Sequence, residues 1–144
     1  MDDLDVIFSS LADHQSGQEP TIACLYTGRA APKACAPMRR VPAPQIGQVL
    51  DMSFTSHVIA ALALNPAIHD GAIMLSRLNV STPFIISGWS YRLFPPHVAK
   101  NGPPNRGSAF NSCLAMSKMD SVERMYLLTR GVVTRFISGS AEPL

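Results

Sequence analysis

Charge is scarce in this 144-residue chain: Asp, Glu, Lys and Arg together make 15% of it, and they leave a net charge of only +2. So small a surplus excludes the broad basic face with which proteins hold DNA or RNA polymers. Long hydrophobic runs are missing as well. The best of them, Val58 to Leu64, stops at Asn65-Pro66, far short of the ~20 apolar residues of a membrane-spanning helix. The opening residues Asp2, Asp3 and Asp5 are acidic, where a signal peptide begins with positive charge. The three cysteines, Cys24, Cys35 and Cys113, are odd in number and contain no CxxC pair. That pattern speaks against a disulfide framework or a zinc ribbon and reads as reduced, mostly buried thiols of a cytoplasmic protein. No Gly-x-Ser-x-Gly elbow is present, and His14, His57 and His97 show no ligand spacing, so neither Ser-His-Asp hydrolysis nor a histidine metal centre is indicated.

What the chain does have is apolar residues, at 47%, enough for one packed core but not for two. Leu4, Ile7, Phe8 and Leu11 recur at helical spacing, so a first amphipathic helix spans residues 3 to 14. Thr21 to Thr27 (TIACLYT) is short, apolar and β-compatible, as a buried strand requires. Gly28 to Gln45 holds Pro32, Pro37, Pro42 and Pro44 and is a loop, because proline donates no ladder hydrogen bond to a central strand. It carries Arg29, Lys33, Arg39 and Arg40, which make either a solvated basic loop or an anion-binding flap.

Gln48 to Met52 reads as another short strand, and Ser53 or Thr55 as the cap of a helix that ends at Asn65-Pro66. Ala72 to Ser76 and Phe84 to Gly88 form a hairpin across Asn79 and Pro83. A second proline-rich loop, Leu93 to Gly107, leads into a helix from Ser108 to about Met119. Two last strands, Arg124 to Thr129 and Val132 to Ile137, turn at Arg130-Gly131. There is no internal repeat. The order predicts an α/β fold over residues 1–144, a single domain with a mixed β-sheet flanked by helices.

Two stretches carry chemistry. In Asn65-Pro66-Ala67-Ile68-His69-Asp70-Gly71-Ala72 an aspartate sits on a tight turn directly before a strand. There it can accept a proton or bind a metal, His69 offers a metal nitrogen, and Gly71 lets a ligand approach the backbone. Asp-Gly is also a common turn pair without any such role. In Asn105-Arg106-Gly107-Ser108 a helix begins, and free backbone N–H groups there attract phosphate, with Arg106 adding charge and Ser108 a hydroxyl. The same residues serve equally as a plain helix cap. Trp89, the only tryptophan, is either a core residue or a platform for a base.

Taken together, the two stretches resemble the diadenylate cyclase domain, a family that makes cyclic di-AMP from two ATP molecules. Its Asp-Gly-Ala motif is matched by Asp70, Gly71 and Ala72, and the histidine often preceding it by His69. Leu50-Asp51 sits where the family carries a Leu-Asp pair, and Ser112-Cys113-Leu114-Ala115-Met116-Ser117 aligns with its Ala-Ala-Leu-Gly-Ile-Ser helix. The likeness runs from about Asp5 to Ile137. Active cyclases follow a Gly-Thr pair with Arg-His-Arg, which grips the ATP phosphates. Here Gly107-Ser108 stand for Gly-Thr, and Ala109, Phe110 and Asn111 stand where Arg-His-Arg should be. Each lost charge-assisted contact costs about 1.5–3 kcal/mol of phosphate binding. The family's Ser-Glu pair likewise becomes Ser117-Lys118, an acid exchanged for a base.

The resemblance therefore implies a degenerate member: a sensor or binding module for a nucleotide or nucleotide-derived second messenger. Asp70, Gly71 and Ala72 would form one wall, and Arg106, Gly107 and Ser108 the phosphate-facing rim. The implied partners are that small molecule and either a second copy or an effector, with neither a nucleic-acid polymer nor a membrane. The alternative is an active cyclase, in which Asp70, with His69, binds Mg²⁺ or Mn²⁺ while Arg106, Lys100 or a second subunit supplies the missing cations. A purely structural domain is the third option and expects Phe110 to fill the pocket.

Overall fold

The computed structural model describes residues 1–15, 20–95 and 107–144. Seven strands form one mixed sheet: β1 (Thr21–Thr27), β2 (Cys35–Pro37), β3 (Ala72–Arg77), β4 (Ile85–Leu93), β5 (Val122–Thr129), β6 (Val132–Ile137) and β7 (Ser140–Pro143). Their spatial order is β2-β4-β3-β1-β5-β6-β7. Only the central pair β1 and β3 is parallel, with α2 (Phe54–Leu64) in the crossover between them. The other neighbours run antiparallel.

Strand alternation explains why β1, β3 and β5 read as continuous apolar runs. Ala23, Leu25, Ile73, Leu75, Tyr126 and Leu128 face one core, which α1 (Asp3–Asp13) and α2 cover with Phe8, Leu11, Phe54 and Val58. Cys24, Tyr26, Ala72, Met74, Met125 and Leu127 face a second core beneath α3 (Ser108–Met116). Helices on both faces leave the central strands no solvated side. Phe8 ties the first core together, stacked on Tyr126 at 4.0 Å between centroids and edge-on to Phe54 at 5.3 Å. Trp89 belongs to the same core, 7% exposed, with its indole N–H donating to the Gln45 carbonyl at 2.8 Å.

One buried charge fixes how α1 lies on the sheet. Asp5 has no exposed surface, yet every lone pair it needs is met. It shares a capping box with Asp2, accepts the Tyr126 hydroxyl at 2.6 Å, and pairs with Arg135 at 2.5 Å. Arg124 completes the group, 2.9 Å from Asp2 and donating to the Tyr126 oxygen at 2.8 Å. A buried carboxylate is tolerable only when paired and hydrogen-bonded in this way.

Several boundaries differ from the sequence reading. Gln48 to Met52 is not a strand; it makes a single bridge, Val49 to Ile85, because Gly47 turns at φ 102° before it and Asp51 turns the chain just after. The proline-rich loop does contain three residues of strand, β2, admitted because they sit at the sheet edge, where Pro37 needs no ladder donor. The hairpin of β3 and β4 is present, but β4 runs on to Leu93. Helix α3 stops at Met116 rather than Met119, and β7 adds an edge that is exposed along its whole length. Among the described residues no helix is long and apolar enough to cross a membrane.

Candidate functional site

The Asp-Gly-Ala turn is built from its flanks inward. Helix α2 ends at Asn65, whose side chain accepts the Ala67 N–H at 3.1 Å and starts a short 3-10 helix, Pro66–His69. Asp70 then extends, Gly71 turns at φ 98°, and Ala72 enters β3 fully buried. A Cβ on Gly71 would stand 2.8 Å from both the Ser90 carbonyl carbon and the Met38 methyl. Glycine is therefore required here twice over, by conformation and by space.

Strand β4 supplies the other half of this arrangement. Ala72 pairs with Tyr91 while Met74 pairs with Gly88, so two steps along β3 match three along β4. Within that bulge Ser90 adopts φ 62° although it is not glycine, and it is completely buried. Bulges of this kind re-aim side chains beside functional sites. The Ser90 hydroxyl donates to the Asp70 carbonyl and accepts from Arg40 Nε at 3.0 Å. The Arg40 guanidinium also reaches Asp70 Oδ2 at 3.5 Å. Asp70 keeps 67% of its side chain exposed, whereas Arg40 keeps only 22%. Arg40 thus comes from the basic loop, but it reaches the carboxylate of the Asp-Gly-Ala turn.

Opposite this turn stands the start of α3. Asp70, Gly71 and Ala72 line one open cleft of about 420 Å³ together with Ser108, Ala109 and Ser112. Tyr91, Arg92 and Leu93 of β4 line it as well, together with Met38. Burial, with Tyr26 and Cys35 nearby, pushes the Tyr91 phenol above its usual pKa, so it keeps its proton near neutral pH. Among the described residues the cleft therefore offers hydroxyls, one carboxylate, one arginine (Arg92) and apolar surface. It lies within the ~300–1,000 Å³ of small-molecule sites.

The expected site residues divide as follows. Asp70, Gly71, Ala72 and Ser108 come together in this cleft. Gly107 caps α3 and lines a neighbouring cavity that also contains Phe110, Thr129 and Arg130. His69 lines a different cavity, with Leu11 of α1 and Val58 and Leu62 of α2. Arg106, Asn105, Lys100 and His97 lie outside the described residues. Phe110 does not fill the cleft; its ring packs edge-on against Phe136 at 5.0 Å. Ser117 is occupied structurally, donating to the Leu114 carbonyl and accepting the Gly139 N–H.

A resident divalent ion fits poorly. Asp70 is the cleft's only carboxylate among the described residues, and its charge is met by Arg40. No group of three or more His, Cys, Asp or Glu side chains gathers among the described residues to hold a metal. The folded chain does bring Asp51, Ser53 and His57 together at the start of α2. The Ser53 hydroxyl donates to Asp51 rather than to His57, whose Nε2 stands 3.1 Å away. That is a turn and a helix start rather than a nucleophile with its base.

Sequence reasoning missed Arg40, Ser90, Tyr91 and Met38 as neighbours of the turn. Their one signal was the cluster of cations in the loop from Gly28 to Gln45. Nothing in Ser-Gly-Trp-Ser-Tyr announces a bulge.

No family model matches the chain, and no curated protein does. Solved structures do match it. A hypothetical membrane spanning protein from Bacillus cereus superposes with a TM-score of 0.66 at 11% identity, over 97% of this chain and 62% of that one. The chain thus spans about three fifths of that protein's length. DacA from Staphylococcus aureus, as a double mutant, gives a TM-score of 0.60 at 11% identity, over 97% of this chain and 85% of that one. DacA is a diadenylate cyclase, and at this identity the likeness is one of fold. The chain has a diadenylate-cyclase-like fold, a mixed sheet with helices on both faces.

Proposed function

We propose that this chain is a nucleotide-binding module that holds a nucleotide or nucleotide-derived messenger without turning it over. One observation carries the reading: the Asp-Gly-Ala turn and the first residues of α3 line the same cleft, although they are 38 positions apart from Asp70 to Ser108. Ser108, Ser112 and Asp70 can hydrogen-bond a sugar or base edge, and the lining side chains Tyr91 and Leu93 can take an apolar ring face. Where the cyclase family grips triphosphate with Arg-His-Arg, this chain carries Ala109 in the cleft wall and Phe110 packed on Phe136. A module that binds but does not react passes its signal on by shifting the population of a partner, either an effector or a second copy.

Native mass spectrometry tests this directly. The protein is incubated with ATP, AMP, cyclic di-AMP and related messengers, with and without Mn²⁺, and the spectra read both retained ligand and new product. A retained nucleotide without product supports the module. Cyclic di-AMP formed from ATP would make the chain an enzyme, and in that event Asp70→Asn should abolish the product. Silence across the panel removes the nucleotide reading altogether.

A further inference from the structure

We infer that Arg40 occupies the place a divalent ion would take at Asp70, so the cleft works with no metal at that carboxylate. The inference goes beyond nucleotide binding, because it concerns Asp70 whether or not any ligand is bound.

Magnesium is usually held by one or two carboxylates plus phosphate oxygens in near-octahedral geometry, and manganese prefers similar oxygen donors. Among the described residues the cleft offers a single carboxylate, and its histidine neighbour lines another cavity. One oxygen of that carboxylate, Oδ2, faces Arg40 at 3.5 Å, while the side chain keeps 67% of its surface exposed. Arg40 is not a free surface arginine. Its Nε is held by Ser90 Oγ at 3.0 Å, its guanidinium touches Met38 Sδ at 3.8 Å, and the Met38 N–H donates to the Ser90 carbonyl at 3.0 Å. Arginine keeps its charge at every pH a protein survives. A dication at Asp70 would sit within a few ångströms of a guanidinium cation that is tethered in place.

Ser90 organises the pair at a cost. Its φ of 62° is a conformation that non-glycine residues avoid, and its one hydroxyl serves both Asp70 and Arg40. Strain retained at such a junction points to a function for what it holds. The consequence is electrostatic. An anionic ligand reaching this turn meets Asp70 with Arg40 beside it, and Arg92 in the cleft lining, rather than a bare carboxylate, and it needs no metal to screen the approach.

The test is nuclear magnetic resonance of the ¹⁵N-labelled chain with substoichiometric Mn²⁺, whose paramagnetism broadens nearby amides even at low occupancy. In the wild type the Gly71 and Ala72 amides should keep their intensity relative to the rest of the spectrum. In Arg40→Gln the same two amides should be selectively lost, and adding Asp70→Asn should restore them. Ser90→Ala, which frees Arg40 without removing it, should give an intermediate loss and serves if Arg40→Gln folds poorly. Selective broadening of Gly71 and Ala72 in the wild type overturns the inference. Equal spectra for wild type and both single variants overturn the role given to Arg40. A failure of nucleotide binding in the mass spectra would leave either result standing.

Discussion

Ser90 holds Asp70 in place from inside the sheet: its hydroxyl donates to the Asp70 carbonyl from a fully buried, left-handed backbone position. Two opposed terms meet at this residue. The hydroxyl satisfies both a carbonyl and the Arg40 Nε, while the φ of 62° costs about 1–3 kcal/mol in a residue with a Cβ. Ser90→Ala loses the bonds and keeps the strain, so it should destabilise the fold by about 1–3 kcal/mol. Ser90→Gly loses the same bonds but relieves the backbone, and should be more stable than the alanine variant by about 1 kcal/mol. Urea unfolding of the three proteins gives the order. An alanine variant at least as stable as the glycine one would mean that the bulge is not strained.

The docking of α1 should depend on Asp5 more than on any single apolar contact of that helix. Asp5 is fully buried and joined to Tyr126, Arg135 and Asp2. Asp5→Ala leaves the Tyr126 hydroxyl proton without its acceptor and Arg135 with Glu142 as its remaining partner, and should cost about 3–5 kcal/mol. Tyr126→Phe removes one donor but leaves Asp5 its arginine, and should cost about 1–2 kcal/mol while keeping the stack on Phe8. The double variant should cost less than the two losses combined, since both act on one network. Strict additivity in denaturant melts would show that the groups do not cooperate.

How much of this was legible in the sequence follows from the range of each interaction. TIACLYT, AIMLS and the Asp-Gly-Ala turn declared themselves because burial on two faces and a tight turn both leave local patterns. The edge strands did not. Cys35-Ala36-Pro37 lay hidden in a proline-rich loop, and Ser140 to Pro143 is exposed at every residue, so neither has apolar alternation to read. Gln48 to Met52 has strand-like composition, but Gly47 and Asp51 bend the chain on either side of a single bridge. The site divides in the same way. Asp70, Gly71 and Ser108 were recognisable from short motifs, whereas Arg40 and Ser90 join Asp70 only across 30 and 20 positions.

Thiol chemistry should report on the second core. Cys24, on β1 beneath α3, and Cys113, on the buried face of α3 itself, are completely buried, and burial pushes both thiols far above their usual pKa. Cys35 is half-buried; burial raises it as well, and its thiol donates to the Pro32 carbonyl at 3.0 Å. A thiolate-specific reagent at pH 8 should therefore modify one thiol per native chain, more slowly than free cysteine, and all three in guanidinium. Rapid native labelling of two or three thiols would mean that α3 does not cover the sheet as described.

The acid limb of the stability curve should be set in part by Glu123. This carboxylate accepts from Arg77 Nε at 2.7 Å and from the Thr27 hydroxyl at 2.5 Å, tying β1, β3 and β5 together at one end of the sheet. Burial by itself would raise its pKa. The hydrogen bonds from Arg77 and Thr27 and the charges of Arg77 and Arg124 outweigh burial and hold it below the usual value. A depressed folded pKa stabilises the native state above the unfolded value of about 4.3, and that contribution fades as pH falls through the folded value. At neutral pH the wild type should exceed Glu123→Gln by about 1 kcal/mol, a figure reduced for the pair's partial exposure. The difference between their melting temperatures should be constant from pH 7 to about pH 5 and then shrink as acid protonates Glu123. A gap that persists unchanged into strong acid would show that the glutamate acts through packing and not through its charge.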